Sequence, residues 1–361
     1  MNKALASNAN PVGIGILVAT CLGAFYLHKK KHRELWPLLG LLGLLLFNFF
    51  FSNNFLAVEV RDGAFYGTPL NILNQGSEVM LLAIGMTMVI AVKGIDLSVG
   101  SVMALSGAVC VMAMKDGSSF FVAALIGLVI ATIVGFVNGA LVSGLNVQPI
   151  VATLITMVAI RGVAQLVTGS NPVAHNDAAF EFIGNGHFLG LPFSIVLVGL
   201  VFTVAALLAR KTPLGLFMES IGDNERASRL AGVPNRSIKF WLYGFSGFCA
   251  GVAGLIAASY ITTADPDRVG RMRELDAIFA TVIGGTALTG GRFNLAGTLL
   301  GAVLIQTLSI TMYNQNVPSD IEPMPKAIVI LLVCLLLSPE SRKQVLQLLR
   351  TDQWFPRKVT G

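Results

Sequence analysis

The stretch AVKGIDLSVGSVMAL, residues 91–105, interrupts a long apolar run with a lysine, an aspartate, serines and two glycines, after which the run resumes at once. What it means depends on its flanks. Apolar runs of about 17 to 25 residues recur along the chain, the length at which a helix crosses roughly 30 Å of hydrocarbon. Strands of a membrane barrel would be shorter and would alternate. Of the 361 residues, 54% are hydrophobic and 12% charged, with a mean hydropathy of +0.74. Soluble domains carry about 25% charged residues, so the chain is an integral membrane protein. A break such as KGIDLSVG frees backbone N–H and C=O groups. Against lipid each would cost several kcal/mol, so the break must lie inside protein or beside water. Two compatible readings follow. One is a tight turn at the cytoplasmic mouth, with the Asp96 carboxylate capping the next helix; the other is a discontinuous segment lining a pathway.

Working outward, apolar spans fall at 12–28, 35–53, 69–92, 98–114, 119–145, 148–170, 191–210, 239–263, 274–290, 295–312 and 326–338. They predict an all-α, polytopic helical bundle of about ten or eleven crossings. Placing the 210–239 loop in the cytoplasm puts seventeen Lys and Arg on that side and seven on the other, with Arg161 inside a span. This obeys the positive-inside rule. The same placement explains the net charge of +6 without nucleic acid. The first apolar run is followed by its basic cluster and by no A-x-A cleavage pattern, so it reads as an uncleaved helix with its N-terminus outside. The expected organisation is an extra helix and basic linker at 1–34, a membrane domain at 35–338 and a cytoplasmic tail at 339–361. The four cysteines are far apart in apolar runs and the four histidines show no ligand spacing, which leaves no candidate metal site.

A second break mirrors the first. At an offset of 194, the segments starting at Ala83 and Ala277 share Ala-Ile, a Thr, a Leu and Gly-Ala-Val, and both carry a glycine-rich interruption at the same place. Paired interrupted segments in two halves of a chain point to a transporter's translocation site. The second copy, ELDAIFATVIGGTALTGGRFNLAG at 274–297, opens with Glu274 and Asp276, which either belong to close helix packing or line the outer end of a pathway. Arg161 in mid-span costs at least about 2.5 kcal/mol unless it meets a polar cavity or partner. Its forked guanidinium suits a structural acceptor as well as a ligand's hydroxyls. Asp96, Ser98, Asn138 and Gln148 complete the polar candidates for the pathway. The 170–192 loop has no Lys or Arg and reads as a connector or as a cap.

Residues 210–240 form a basic segment in which Asn224–Leu230 has good helix formers, Gly232 as a stop and Pro234 beyond. With GIDLSVGSVMAL, GDNERASRLAGV and ELDAIFATVIGGTALTGGR in this order, residues 66–338 resemble the permease subunits of bacterial ribose/galactose-type ABC sugar importers. DGAFYGTPLNILNQ, QPIVATLITMVAIRGVAQLVTG and RKTPLGLF are most similar to the galactofuranose-type importers, which take up furanose sugars. The resemblance implies an inner-membrane permease fold with discontinuous segments, a second permease, cytoplasmic ATPase subunits that bind ATP and Mg, and a periplasmic sugar-binding protein. It also assigns Gly222, Asp223, Asn224, Glu225, Arg226, Ala227 and Gly232 to a coupling segment that docks into the ATPase. Ser228, and the extra N-terminal helix, depart from the family pattern. The chain contains no G-x-x-x-x-G-K-[ST], so no P-loop of its own cradles ATP. The competing class is an ion-coupled secondary sugar transporter, for which Glu78 and Asp276 are the candidate acids. A membrane enzyme would need a nucleophile or acid/base pair that the sequence does not offer.

Overall fold

The computed structural model describes residues 11–30, 35–61, 63–318, 321–328 and 331. The expected tail at 339–361, Cys334 and most of the expected crossing at 326–338 lie outside the described residues. Helices α1 (Pro11–Lys30) and α2 (Leu35–Phe51) precede a hairpin of β1 (Val58–Arg61) and β2 (Ala64–Gly67). Helix α3 (Thr68–Ala91) starts directly from the hairpin. Pro69 suits its first turn, where an N–H would have no helical partner. Gly67 holds a φ of 148° against Ala57, whose carbonyl any Cβ would strike.

After the KGIDLS break come α4 (Val99–Lys115), α5 (Phe120–Gly139), a π turn at Ala140–Gly144 and α6 (Pro149–Thr168). An outer segment follows, with β3 (Val173–Ala174), α7 (Ala178–Asn185), β4 (His187–Phe188) and β5 (Leu191–Pro192). Then come α8 (Phe193–Lys211), the short helices α9 (Leu214–Asp223) and α10 (Glu225–Leu230), α11 (Asn235–Tyr260), β6 (Thr263–Ala264), α12 (Arg273–Ile283) and α13 (Leu295–Asn314). The result is an all-α polytopic bundle. Among the described residues, α3, α5 with its π turn, α6, α8, α11 and α13 are long and apolar enough to cross a membrane. Shorter apolar stretches occur at Gly15–Ala24, Pro37–Phe51 and Val99–Lys115.

Helices α3, α11 and α13 are largely buried, whereas α5, α6 and α8 turn apolar faces outward, with Phe121, Leu166 and Leu200 exposed. Such a belt is the surface expected against hydrocarbon. Inside it, close packing replaces the hydrophobic effect as the force that joins helices, so small residues mark the seams. Where α5 meets α11, a Cβ on Gly135 would strike the Tyr243 carbonyl, and one on Gly247 the Ala131 carbonyl. Phe136 stacks on Phe240 beside them, with ring centroids 4.8 Å apart.

The second break differs from the continuous crossing expected at 274–290. Helix α12 stops at Ile283 after 11 residues, a length of about 16 Å that covers half the hydrocarbon. Gly284 permits the stop, because a Cβ there would collide with the Gly297 and Thr298 backbone at the start of α13. The chain leading into α12 also turns back into the bundle. It leaves the end of α11 at Tyr260, yet Gly270 lies directly against Gly100 in the first turn of α4, with no room for a Cβ on either. Segment 265–272 is therefore re-entrant, and α12 starts within the bundle.

The sequence repeat pairs α3 with α12 and α4 with α13, and its matched threonines meet. The Thr87 and Thr281 hydroxyls lie 3.4 Å apart. Each donates to the carbonyl four residues before it, Ala83 at 2.7 Å and Ala277 at 2.8 Å. The 170–192 loop is folded onto the outer ends of the core helices. Asp177 caps α7 through the Phe180 N–H, the Gly184 N–H donates to Ser259 Oγ at 2.8 Å, and β3 pairs with β6.

Replacing Gly247 by leucine should destabilise the α5–α11 seam by roughly 1–3 kcal/mol, the range for overpacking. Leucine at Gly199, which faces open space, should be near neutral. Thermal unfolding of the purified chain in detergent compares the two, and equal midpoints would refute this account of the seam.

Candidate functional site

The KGIDLS break is held by a buried carboxylate. Asp96 Oδ1 accepts from the Ser98 N–H at 3.1 Å, from Ser98 Oγ at 2.7 Å and from Asn138 Nδ2 at 3.4 Å, while Oδ2 accepts from Ser246 Oγ at 2.9 Å. Asn138 Nδ2 also donates to Ser98 Oγ at 2.8 Å. One side chain thus joins the break to α5 and α11. The freed Ile95 carbonyl accepts from Thr153 Oγ1 of α6 at 3.2 Å and from the Tyr243 hydroxyl of α11 at 3.3 Å. Asp96, Ser98 and Asn138 are essentially inaccessible. The structure brings them together as a packed knot, apart from either cavity described below.

Arg161 holds the re-entrant segment. Its Nη1 donates to the Pro266 carbonyl at 2.8 Å and to the Val269 carbonyl at 2.7 Å. Gln165, one turn further along α6, donates to Asp267 Oδ1 at 2.7 Å. The mid-span guanidinium therefore satisfies carbonyls that an irregular backbone inside a membrane would leave bare. Glu274 is buried at the start of α12 beside Gly100.

Below the outer ends of α3 and α13 opens a cavity of about 1080 Å³, with Asn71, Gln75, Arg273, Asp276, Gln306 and Lys326 among its lining residues. A chain of ion pairs runs along one wall. Arg273 bridges Glu78 and Asp276 at 3.4 Å each, and Lys326 bridges Asp276 at 3.2 Å and Glu322 at 2.9 Å. Burial by itself lifts the Glu322 carboxyl, but the hydrogen bond and charge of Lys326 outweigh it and hold Glu322 below the ordinary carboxylate range. Of the expected pathway residues, Asp276 lines this cavity. Gln148 is exposed at the start of α6, distant from it in the fold.

At the opposite end, α9 and α10 form an elbow. Asn224 caps α10 by accepting from the Arg226 and Ala227 N–H groups at 3.1 Å each, and Gly232 ends it at a φ of 85°. Glu225 pairs with Lys239 of α11 at 2.8 Å. Ser228, the departure from the family pattern, is buried and donates to Asn235 Oδ1 at 3.2 Å. Asp223, Asn224, Arg226 and Leu230 stay exposed beside a hollow of about 760 Å³, and Ala227 is exposed on the same helix. The inner face of the elbow presses on both breaks at once. A Cβ on Gly222 would strike the Ala91 carbonyl and the Gly291 N–H. That same N–H donates to the same carbonyl at 2.9 Å, and Lys93 Nζ donates to the Asp223 carbonyl at 3.2 Å.

Sequence reading missed Asn71, Gln75 and Gln306 as cavity residues. The available signal was spacing and type: Asn71 and Gln75 share a face of α3, and Gln306 is the one carboxamide in the middle of α13.

Buried helices with paired breaks, a re-entrant half-helix between them and a polar cavity at one end define a multi-pass membrane transport protein. Residues 68–337 match the family described as branched-chain amino acid transport system / permease component, and the chain belongs to that family. It is 43% identical over 313 residues to the galactofuranose transporter permease protein YtfT of Escherichia coli K12, covering 85% of this chain and 92% of that protein. It is 36% identical to the fructose import permease protein FruF of Bifidobacterium longum, over 84% of this chain and 87% of that protein. Against the ribose import permease protein RbsC of Haemophilus influenzae it is 35% identical, over 87% of this chain and 94% of that protein. No solved structure matches. These relatives are sugar import permeases by name, although the family's description mentions amino acids.

Asp96→Ala should cost roughly 2–3 kcal/mol or more, because it strands buried donors on three elements. A midpoint of thermal unfolding unchanged from wild type would show that the knot does not hold the break. Arg161→Ala should depress transport more than protein level, since the re-entrant segment loosens while the bundle persists. Immunoblots set against initial uptake rates decide it, and losses in equal proportion would make the residue purely structural.

Proposed function

We propose that this chain is a permease subunit of an ATP-binding-cassette importer in the bacterial inner membrane, moving a small sugar from periplasm to cytoplasm. The elbow of α9 and α10 docks into a cytoplasmic ATPase subunit through Asp223, Asn224, Arg226 and Ala227. ATP and Mg bind to that partner, and the permease carries no cofactor and performs no bond chemistry. A second permease completes the membrane core, and a periplasmic sugar-binding protein delivers the substrate. The likeness to a galactofuranose transporter permease favours a furanose-form monosaccharide, of the kind of galactofuranose or arabinofuranose.

The observation that carries this reading is the contact of Gly222 with Ala91 and Gly291. An inward or outward shift of the elbow is transmitted without slack to the ends of both interrupted segments, because glycine leaves no flexible side chain between the backbones. ATP binding and hydrolysis in the partner then bias the membrane core between two arrangements, as a ligand does by favouring one state. The acids already held by partners argue against the ion-coupled rival. Glu78 and Asp276 are bound to Arg273, Asp276 also to Lys326, and Asp96 to hydroxyls, amide and backbone N–H.

Replacing Gly222–Gly232 by a flexible linker should abolish ATP-driven uptake while the permease still inserts in the membrane. Tagged protein purified in mild detergent should bring down an ATPase and a second permease in fixed ratio. Uptake at the wild-type rate by the linker variant, or purification of the wild-type chain alone, would count against the proposal.

A further inference from the structure

In the depth of the outer cavity the charged side chains are occupied with one another. Arg273 lies between Glu78 and Asp276, and Lys326 between Asp276 and Glu322. The groups left to meet a solute are uncharged. Asn71 and Gln75 project from α3, with Gln75 one turn deeper, and Gln306 approaches from α13. Gly76 makes this approach possible, since Gln306 Cγ lies 3.2 Å from where a Cβ would stand. The two glutamines are preset by a chain of hydrogen bonds. Gln75 Nε2 donates to the Tyr260 hydroxyl at 3.1 Å, and Gln306 Nε2 donates to Gln75 Oε1 at 3.4 Å.

That chain ends on a buried acceptor that has no partner. Gln306 is 4% exposed, and its Oε1 has no hydrogen-bond partner. A buried amide oxygen without a partner costs about 1–3 kcal/mol, so a donor that reaches it is favoured. Phe279 and Tyr313 add aromatic surface to the same cavity. A few fixed polar groups on an apolar and aromatic wall are the usual composition of a small-molecule site. Carboxamides, which donate and accept on one planar group, match hydroxyls, which also do both.

We propose that Gln75 and Gln306 form a subsite for a neutral monosaccharide in transit, with a sugar hydroxyl donating to Gln306 Oε1. This rests on the permease reading above and deepens it by naming the residues that meet the cargo. At the glutamines an anionic sugar finds no free cation, because Arg273 and Lys326 are already paired; the other two arginines of the cavity wall, Arg268 and Arg271, are exposed to solvent.

The test uses the complete importer, with its ATPase and second permease, purified without binding protein. Saturation-transfer NMR titrates D-galactose, D-ribose and D-fructose, with D-galacturonate as the anionic counterpart. The wild type should bind at least one neutral sugar weakly, and Gln306→Leu and Gln75→Leu should each weaken that binding about tenfold, the effect of losing one or two neutral hydrogen bonds. Gln306→Met, which keeps an unbranched side chain, replaces the leucine variant if that one does not assemble. Unchanged affinity in the variants, no binding of any of the three neutral sugars, or tighter binding of galacturonate overturns the subsite. ATP-driven uptake by the same wild-type complex, reconstituted into liposomes and supplied with its sugar-binding protein, separates the two claims. If uptake proceeds while binding ignores both glutamines, the subsite alone fails; if no sugar is taken up, the permease reading fails with it.

Discussion

Everything in this fold depends on one constraint: backbone that leaves helical form inside a bilayer must find its hydrogen bonds within the protein. Among the described residues the chain leaves helical form three times in its interior, at residues 92–98, 265–272 and 284–294, and each departure has its own fastening. Asp96 secures the first, Arg161 the second, and Thr286, whose hydroxyl accepts from the Asn294 N–H at 3.1 Å, secures the third. These polar residues are costly in apolar spans. They persist where an irregular backbone would otherwise cost more.

The fastenings differ in chemistry because the freed groups differ. An acceptor carboxylate suits the first break, where a backbone N–H and neighbouring hydroxyls need an acceptor. A guanidinium suits the re-entrant segment, where two carbonyls need a donor. This explains why an acid and a base stand in the spans without forming a pair with each other. It also makes Asp96 a fastening of the break and not a helix cap, since its carboxylate takes the Ser98 N–H just outside α4 and no N–H of the helix itself. Seen from the sequence, a cap role and a pathway role were both open.

How much of this was legible in the residues follows from the same chemistry. Hydropathy and charge asymmetry, which act over whole spans, gave the polytopic bundle, and the glycine clusters located both breaks. Gly232 marked the end of a short helix because such stops are local, whereas Asn224, read as part of that helix, turns out to be its cap. The half-helix was not legible. ELDAIFATVIGGTALTGG has the apolar length of a crossing, and its stop at Ile283 is forced by the α13 backbone against Gly284, a contact more than ten residues away in sequence. The cavity was hidden for a related reason. Gln75 and Gln306 lie 231 positions apart and become neighbours only when α3 and α13 pack.

The repeat joins these strands of argument. Two copies of an interrupted helix pair, packed through Thr87 and Thr281, place their breaks at one end, where Ala91 and Gly291 bond to each other and Gly222 closes on both. A single break would give an external force one point of purchase and would deform one segment alone. Paired breaks sharing one contact respond together. The cavity lies toward the other end of α3, the helix that ends at Ala91, and of α13, the helix that starts just after Gly291. Rigid helices therefore connect the elbow to the polar groups at the outer face, and the glycines at the joint leave little to absorb the displacement before it arrives.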